Sequence, residues 1–201
     1  MQTDYYVIEC APNNSHPLLD IDEVVGLGRP APLVISQPLQ LRLGAPVPRN
    51  PVMVDHHALP QPVFSSRIVE ALEPLGLYCV QFVPADVKVK QDDVRRYWVL
   101  HVYNEIPCVD RQRSVLSIDD EDGRVMGIDA LVLDERVLER IPLERRLLFV
   151  LEESISTYLF HSSVVERVLA LAPPPEGLRF IRVDRWNDSA GFQAGPPAER
   201  S

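Results

Sequence analysis

Two short runs hold the side chains best suited to metal binding or proton transfer. The first is Asp55-His56-His57. Consecutive residues of an extended segment point to opposite faces, so His56 and His57 are poorly placed to share one ion. A tetrahedral site would need further ligands from His16, His101, His161 or a carboxylate, and no zinc-type spacing connects them. The second run is Asp119-Asp120-Glu121-Asp122-Gly123. A helix–loop–helix calcium site with its glycine at Gly123 needs an acidic ligand five residues earlier, where Ile118 stands. This run is expected to be a solvated hairpin tip. Neither a metal nor any other cofactor is expected.

Catalytic signatures are missing as well. The chain contains no G-x-S-x-G, no H-E-x-x-H, no phosphate-binding Walker loop and no G-x-G-x-x-G. Gly26-Leu27-Gly28-Arg29-Pro30 runs into proline instead of a helix and reads as a turn. Cys10, Cys79 and Cys108 are odd in number, widely spaced and without a CxxC pair, which fits reduced thiols in a cytoplasmic protein. An enzyme is therefore not expected. The enzymatic alternative is a site gathered from His101, His161 and Asp110, which are too far apart in sequence to leave a motif.

The charge balance points to proteins as partners. A formal net charge of −9 disfavours direct binding to nucleic acid, whose phosphates require Lys and Arg. It suits a basic protein. Seven acids lie between Asp119 and Glu135 (Asp119, Asp120, Glu121, Asp122, Asp129, Asp134 and Glu135) against the single base Arg124. Trp186, in the run Arg182-Val183-Asp184-Arg185-Trp186, either covers a core edge or anchors a partner. The N-terminus has no basic, apolar leader, and Leu147–Leu151 is far short of the ~20 apolar residues of a membrane helix. The expected location is cytoplasmic, with no membrane contact.

The elements that must position these residues are α+β in pattern. Of 19 prolines, ten precede Val63, so residues 1–62 are expected to be short strands and irregular connections, including Asp4–Cys10, Leu39–Leu43 and Val52–Asp55. Ile68, Val69, Leu72 and Leu75 form one apolar helical stripe, with Ser65 or Ser66 as its cap and Gly76 as its stop; a strand to Val83 follows. About a hundred residues on, the unit recurs. Val164, Val165 and Val168 form the stripe, Ser163 and Glu166 a capping box, and Leu178–Val183 the strand. Phe64, Ile68, Val69 and Glu70 then match Phe160, Val164, Val165 and Glu166; the match is either the chance likeness of two amphipathic helix–strand units or the mark of two related lobes sharing a core. Between the copies the pattern is β: Arg96–Ile106, then a hairpin turning at Asp122-Gly123, a short helix near Val137–Ile141 and two strands joined at Glu152–Ser154. The expectation is one domain over 1–186 (1–62 proline-rich, 63–186 core) with a flexible tail at 187–201. Its sheets should be mixed and mostly antiparallel, with two amphipathic helices.

The serine-led helix of Val63–Leu75, its glycine and Phe-ending strand, and the Tyr/Trp-rich strand leading to Asn104–Ile106 and Asp110 resemble a known family. So do the late residues Leu148, Phe149, Ser163, Val165, Gly177 and Phe180. It is the eleventh family of bacterial immunity proteins from polymorphic toxin systems, and the resemblance covers Val63 to Val183. It implies an α+β fold, no catalytic residues, and tight stoichiometric binding that neutralises a cognate toxin. A basic nuclease is the kind of toxin that the acidic charge suits. Asp119, Asp120, Glu121, Asp122, Asp129, Asp134, Glu135 and Trp186 are the candidate contact residues, chosen from charge and not from the family. The alternative is a structural or regulatory protein-binding module without a toxin.

Overall fold

The computed structural model describes residues 1–21 and 26–192. The N-terminal third supplies β1 (Tyr5–Cys10), β2 (Leu19–Ile21) and β3 (Leu39–Leu43). The first helix–strand unit consists of β4 (His56–His57), β5 (Val63–Phe64), α1 (Ser66–Leu72) and β6 (Val80–Lys90), with β7 (Asp93–Val102) turning back along β6. After β8 (Glu105–Ile106) come the hairpin strands β9 (Val115–Ile118) and β10 (Val125–Ala130), and then α2 (Glu135–Glu139). The second unit is β11 (Leu148–Leu151), β12 (Ser154–His161), α3 (Ser162–Leu169) and β13 (Leu178–Arg182).

The two units share one topology. A six-stranded sheet runs β2-β3-β6-β7-β5-β4, and a five-stranded sheet runs β13-β1-β12-β11-β8. In the first, β7 lies between β5 and β6 and is antiparallel to both. In the second, β1 lies between β12 and β13 and is antiparallel to both. Each lobe is thus a strand–helix–strand unit split by one inserted strand and flanked by an antiparallel neighbour, β4 or β11. The matched residues fall at equivalent places. Phe64 is the last residue of β5 and Phe160 the last but one of β12, the strands entering each helix, and Gly76 and Gly177 both have positive φ, 55° and 83°. The inserted strand follows the first unit directly, whereas the second lobe takes its own from the N-terminus. The likeness extends to the inserted strands: Tyr5-Tyr6-Val7-Ile8 of β1 matches Tyr97-Trp98-Val99-Leu100 of β7, and Tyr6 stands opposite Phe160 as Trp98 stands opposite Phe64.

Burial follows the strand alternation. In the six-stranded sheet Phe64, Leu100 and Val102 face a central core, while Val63, Tyr97 and Val99 face a second core under β3. In the five-stranded sheet Ile8, Leu148, Val150 and Phe160 join the central core, and Tyr5, Val7, Phe149 and Leu159 face a third core beneath the hairpin and α2. Both helical stripes meet in the central core: Ile68, Val69, Leu72, Val164, Val165 and Val168 are all buried. A side chain fully buried there contributes on the order of 1.5–3 kcal/mol, so the lobes are held together chiefly by apolar area.

Several local expectations differ from the structure. Ser65 occupies the cap position of α1, but its hydroxyl donates to Asp55 Oδ1 at 2.6 Å instead of accepting from the helix. The cap of α3 is His161 and not Ser163: its Nδ1 accepts from the Ser163 N–H at 3.2 Å, because the helix starts directly at the end of β12. Val52–Asp55 is not a strand; the paired residues are His56 and His57. Asp55 instead joins the lobes. Its carboxylate accepts from Ser65, from Arg67 and from the Glu176 N–H at 2.9 Å, satisfying a buried anion with three donors. Of the tail, Ala190 is buried and Asp188 bonds β10; residues beyond 192 lie outside the described ones.

Candidate functional site

The acidic run forms the tip of a two-stranded ribbon, β9–β10, that belongs to neither larger sheet. Leu116, Val125 and Ile128 hold its inner face on the third core. Its register slips twice, leaving Met126 and Asp129 without cross-strand partners. Such bulges re-aim side chains out of strict alternation. Met126 accordingly stands 69% exposed, near Val115 and Ile118, which are also exposed, and Asp129 points to solvent. At the tip, Asp119 Oδ1 accepts from the Glu121 N–H, Asp122 pairs with Arg124, and Gly123 takes the positive φ of 72° that closes the turn. Ribbon and tip therefore combine carboxylates with exposed apolar side chains on one small element.

The other acidic candidates lie apart from this tip. Asp134 caps α2 by accepting from the Arg136 N–H at 2.9 Å. Glu135 is bound to the N-terminal ammonium and the Gln2 N–H, contacts that hold its carboxyl below the usual range. Trp186 is only 5% exposed and closes the edge of the third core. Its indole N–H donates to Glu9 Oε1 at 2.8 Å.

Sequence reasoning did not single out Glu9. Burial pushes its carboxyl above the usual carboxylate range, against the opposing pull of Trp186 and Arg179. Alternation along β1 was the available signal, since it puts Glu9 on the inward face with Tyr5 and Val7. Glu9 and Trp186 line two adjoining clefts. One, of about 380 Å³, lies between Ile8, Leu59, Ile155 and Tyr158. The other, of about 360 Å³, lies against Met126, Ser154, Thr157 and Asp188. A third, of about 400 Å³, opens on the far side of Trp186 past Asp129, Asp184 and Arg113.

The histidines occupy separate structural niches. His56 packs on Phe64 and its Nδ1–H donates to the Gly177 carbonyl at 3.3 Å; His57 packs on Tyr97 and donates likewise to Pro17 at 2.9 Å. They face opposite sides of β4, as alternation requires. His101 bonds the Ala31 carbonyl at 2.8 Å, His161 caps α3, and Asp110 accepts from the Gln112 and Arg113 N–H groups in a turn. Among the described residues no group of three or more metal-type ligands is assembled. Burial lowers His56 to about 3 and His57 to about 4. An unfolded histidine titrates near 6.5, so both groups are neutral in either state above that pH and cost nothing. Below it the unfolded chain takes up protons that the native fold refuses. Stability should fall by up to ~1.4 kcal/mol per pH unit for each histidine, toward pH 4. Urea midpoints measured from pH 7.5 to 4.5 should decline steeply below 6.5, and His57→Gln should flatten the slope. A flat profile would contradict the buried, neutral assignment.

No helix among the described residues is long and apolar enough to cross a membrane. No curated protein matches the chain. A family model, described as Immunity protein family (Imm11), matches residues 36–185. The match begins before Val63, where the likeness was first legible. The pairing of β3 with β6 and of β4 with β5 explains this, since both early strands are integral to the first lobe's sheet. With three quarters of its length matched, including both strand–helix–strand units and the ribbon, the chain belongs to the Imm11 immunity protein family.

Proposed function

We propose that this protein binds a cognate toxin of a polymorphic toxin system in the cytoplasm of the producing cell and neutralises it stoichiometrically, without turnover. Residues 1–186 act as one domain in this reading, and the β9–β10 ribbon is the first contact surface. The observation that carries the surface assignment is the bulged ribbon, which sets exposed Val115, Ile118 and Met126 beside Asp119, Asp120, Glu121, Asp122 and Asp129. Apolar groups exposed next to a charged rim are what a protein interface needs: the apolar part anchors and the charges steer. The toxin is accordingly a basic protein, and a nuclease, whose cleft must attract phosphate, has the right charge.

Replacing Asp119, Asp120 and Asp122 by Asn and Glu121 by Gln tests this surface. Association with the toxin encoded beside the gene should slow on the order of tenfold at low salt, and the difference should shrink as salt rises. The melting temperature should stay close to the parent's, because Asn can still accept the turn bonds of Asp119 and Asp122. An unchanged association rate would move the contact away from the tip.

A further inference from the structure

The clefts on either side of Glu9 share Glu9, Ser156 and Trp186, so they make one groove. It runs from Leu59 and Ile155, half-exposed at the joint of the lobes, to Met126 and Asp188 beside the ribbon. We propose that this groove receives an arginine side chain of the toxin, with the guanidinium on Glu9 and the aliphatic stem along Leu59 and Ile155. The proposal rests on the immunity reading and names the chemistry of one contact within it.

Charge complementarity supports a cationic occupant. Two carboxylates line the groove, and its described lining residues include no lysine or arginine. Asp188 Oδ2 is taken by the Ile128 N–H at 2.7 Å, and Glu9 Oε1 by the Trp186 indole. Arg179 lies opposite Glu9 in the β1–β13 ladder, and its guanidinium donates to the Ala190 carbonyl. Burial holds the Glu9 carboxyl above the usual carboxylate range despite the pull of Trp186 and Arg179, so Glu9 is a partly desolvated acceptor. A groove lined by two carboxylates, with no lysine or arginine among its described lining residues, selects an occupant rich in donors.

Arginine fits better than lysine for three reasons. Its fork carries five N–H donors, it sheds water more readily, and its plane packs against aromatic side chains, of which Tyr158 and Trp186 line the groove. The volume, about 380 Å³ in the larger cleft, is within the range of side-chain and small-ligand pockets. Continuity with the ribbon, through Met126, puts this contact beside the proposed surface and makes it the desolvated centre of a larger footprint.

The test uses n-butylguanidinium as a probe, neutral n-butylurea as its control, and the Trp186 indole N–H resonance as the reporter. Butylguanidinium should shift that resonance saturably with a Kd in the millimolar range. The urea, and the Glu9→Gln variant, should bind at least tenfold more weakly. Glu9→Gln should melt no lower than the parent, because it removes a desolvated charge while keeping an acceptor for Trp186. Against the neighbouring toxin it should dissociate at least tenfold faster. If Glu9→Gln folds poorly, Ser156→Lys at an exposed groove position should produce the same loss by placing a cation inside. Equal binding of the urea, or a Glu9→Gln variant that keeps both probe affinity and the parent's dissociation rate, would overturn the groove and leave the immunity reading standing. A parent that binds the probe but no toxin would overturn the immunity reading and the assignment of the partner with it.

Discussion

Val165→Asp should lose about 3–5 kcal/mol of stability, and Val69→Asp the same, as expected for a charge buried without a partner. The two valines are 4% and 2% exposed and lie on the facing stripes of α3 and α1, within one core. An aspartate there has either to leave water unpaired or to take up a proton at a raised pKa, and both cost free energy. A domain of this size has only ~5–15 kcal/mol to lose, so either variant should have a greatly lowered urea midpoint or fail to accumulate as folded protein. Glu166→Ala, one residue from Val165 on the exposed face, should stay within about 0.5 kcal/mol of the parent. A Val165→Asp variant that melts with the parent would mean that α3 does not bury this face.

Gly177→Ala should be nearly as damaging, for a different reason. Gly177 sits at φ 83°, which costs an alanine on the order of 1–3 kcal/mol by itself. A methyl group added there would also meet the His56 carbonyl oxygen at 2.8 Å and Val54 Cβ at 2.9 Å. Backbone cannot rotate away as a side-chain tip can. The variant therefore has to displace β4, which carries the His56 and His57 niches. A total loss above about 3 kcal/mol is expected from chemical denaturation. Gly76 is its counterpart in the first lobe, with φ 55° and nothing within 4 Å of the position a methyl group would take. Gly76→Ala should therefore cost only the backbone part, ~1 kcal/mol. Equal losses at the two positions would remove the steric argument.

The helices and their stripes were legible in the sequence because apolar spacing alone decides which side of a helix is buried. The duplication was legible for the same reason, through Phe64 and Phe160 and the paired glycines. Strand ends were harder. The apolar pattern of the first returning strand reaches Val83, yet β6 continues past Pro84 to Lys90. Pro84 is tolerated because it precedes Ala85, the first residue of β6 to pair with β3, so the missing N–H faces no partner there. Helix caps were misread where tertiary contacts outbid local ones: Ser65 turned to Asp55, and His161 took the role given to Ser163.

The acidic tip was legible from composition, but its apolar companions were not. Met126 looks inward by alternation and is turned outward by a bulge that depends on cross-strand register. Trp186 could be read as core cover or as anchor, and burial places it in the core edge. Glu9 was visible only as a carboxylate in an apolar phase. Its meaning needs Trp186, which is 177 residues away in sequence, and no local pattern joins them.

In the proposed function this protein occupies its toxin and does not transform it. Titrating the purified protein into the toxin encoded beside its gene, with heat of binding and residual toxin activity read on the same samples, tests that claim directly. One saturable transition at a one-to-one ratio is expected, with activity lost in proportion to the complex formed and independent of incubation time. Inactivation that continues with time at a small fraction of one equivalent, or the absence of any binding together with full toxin activity, would contradict it.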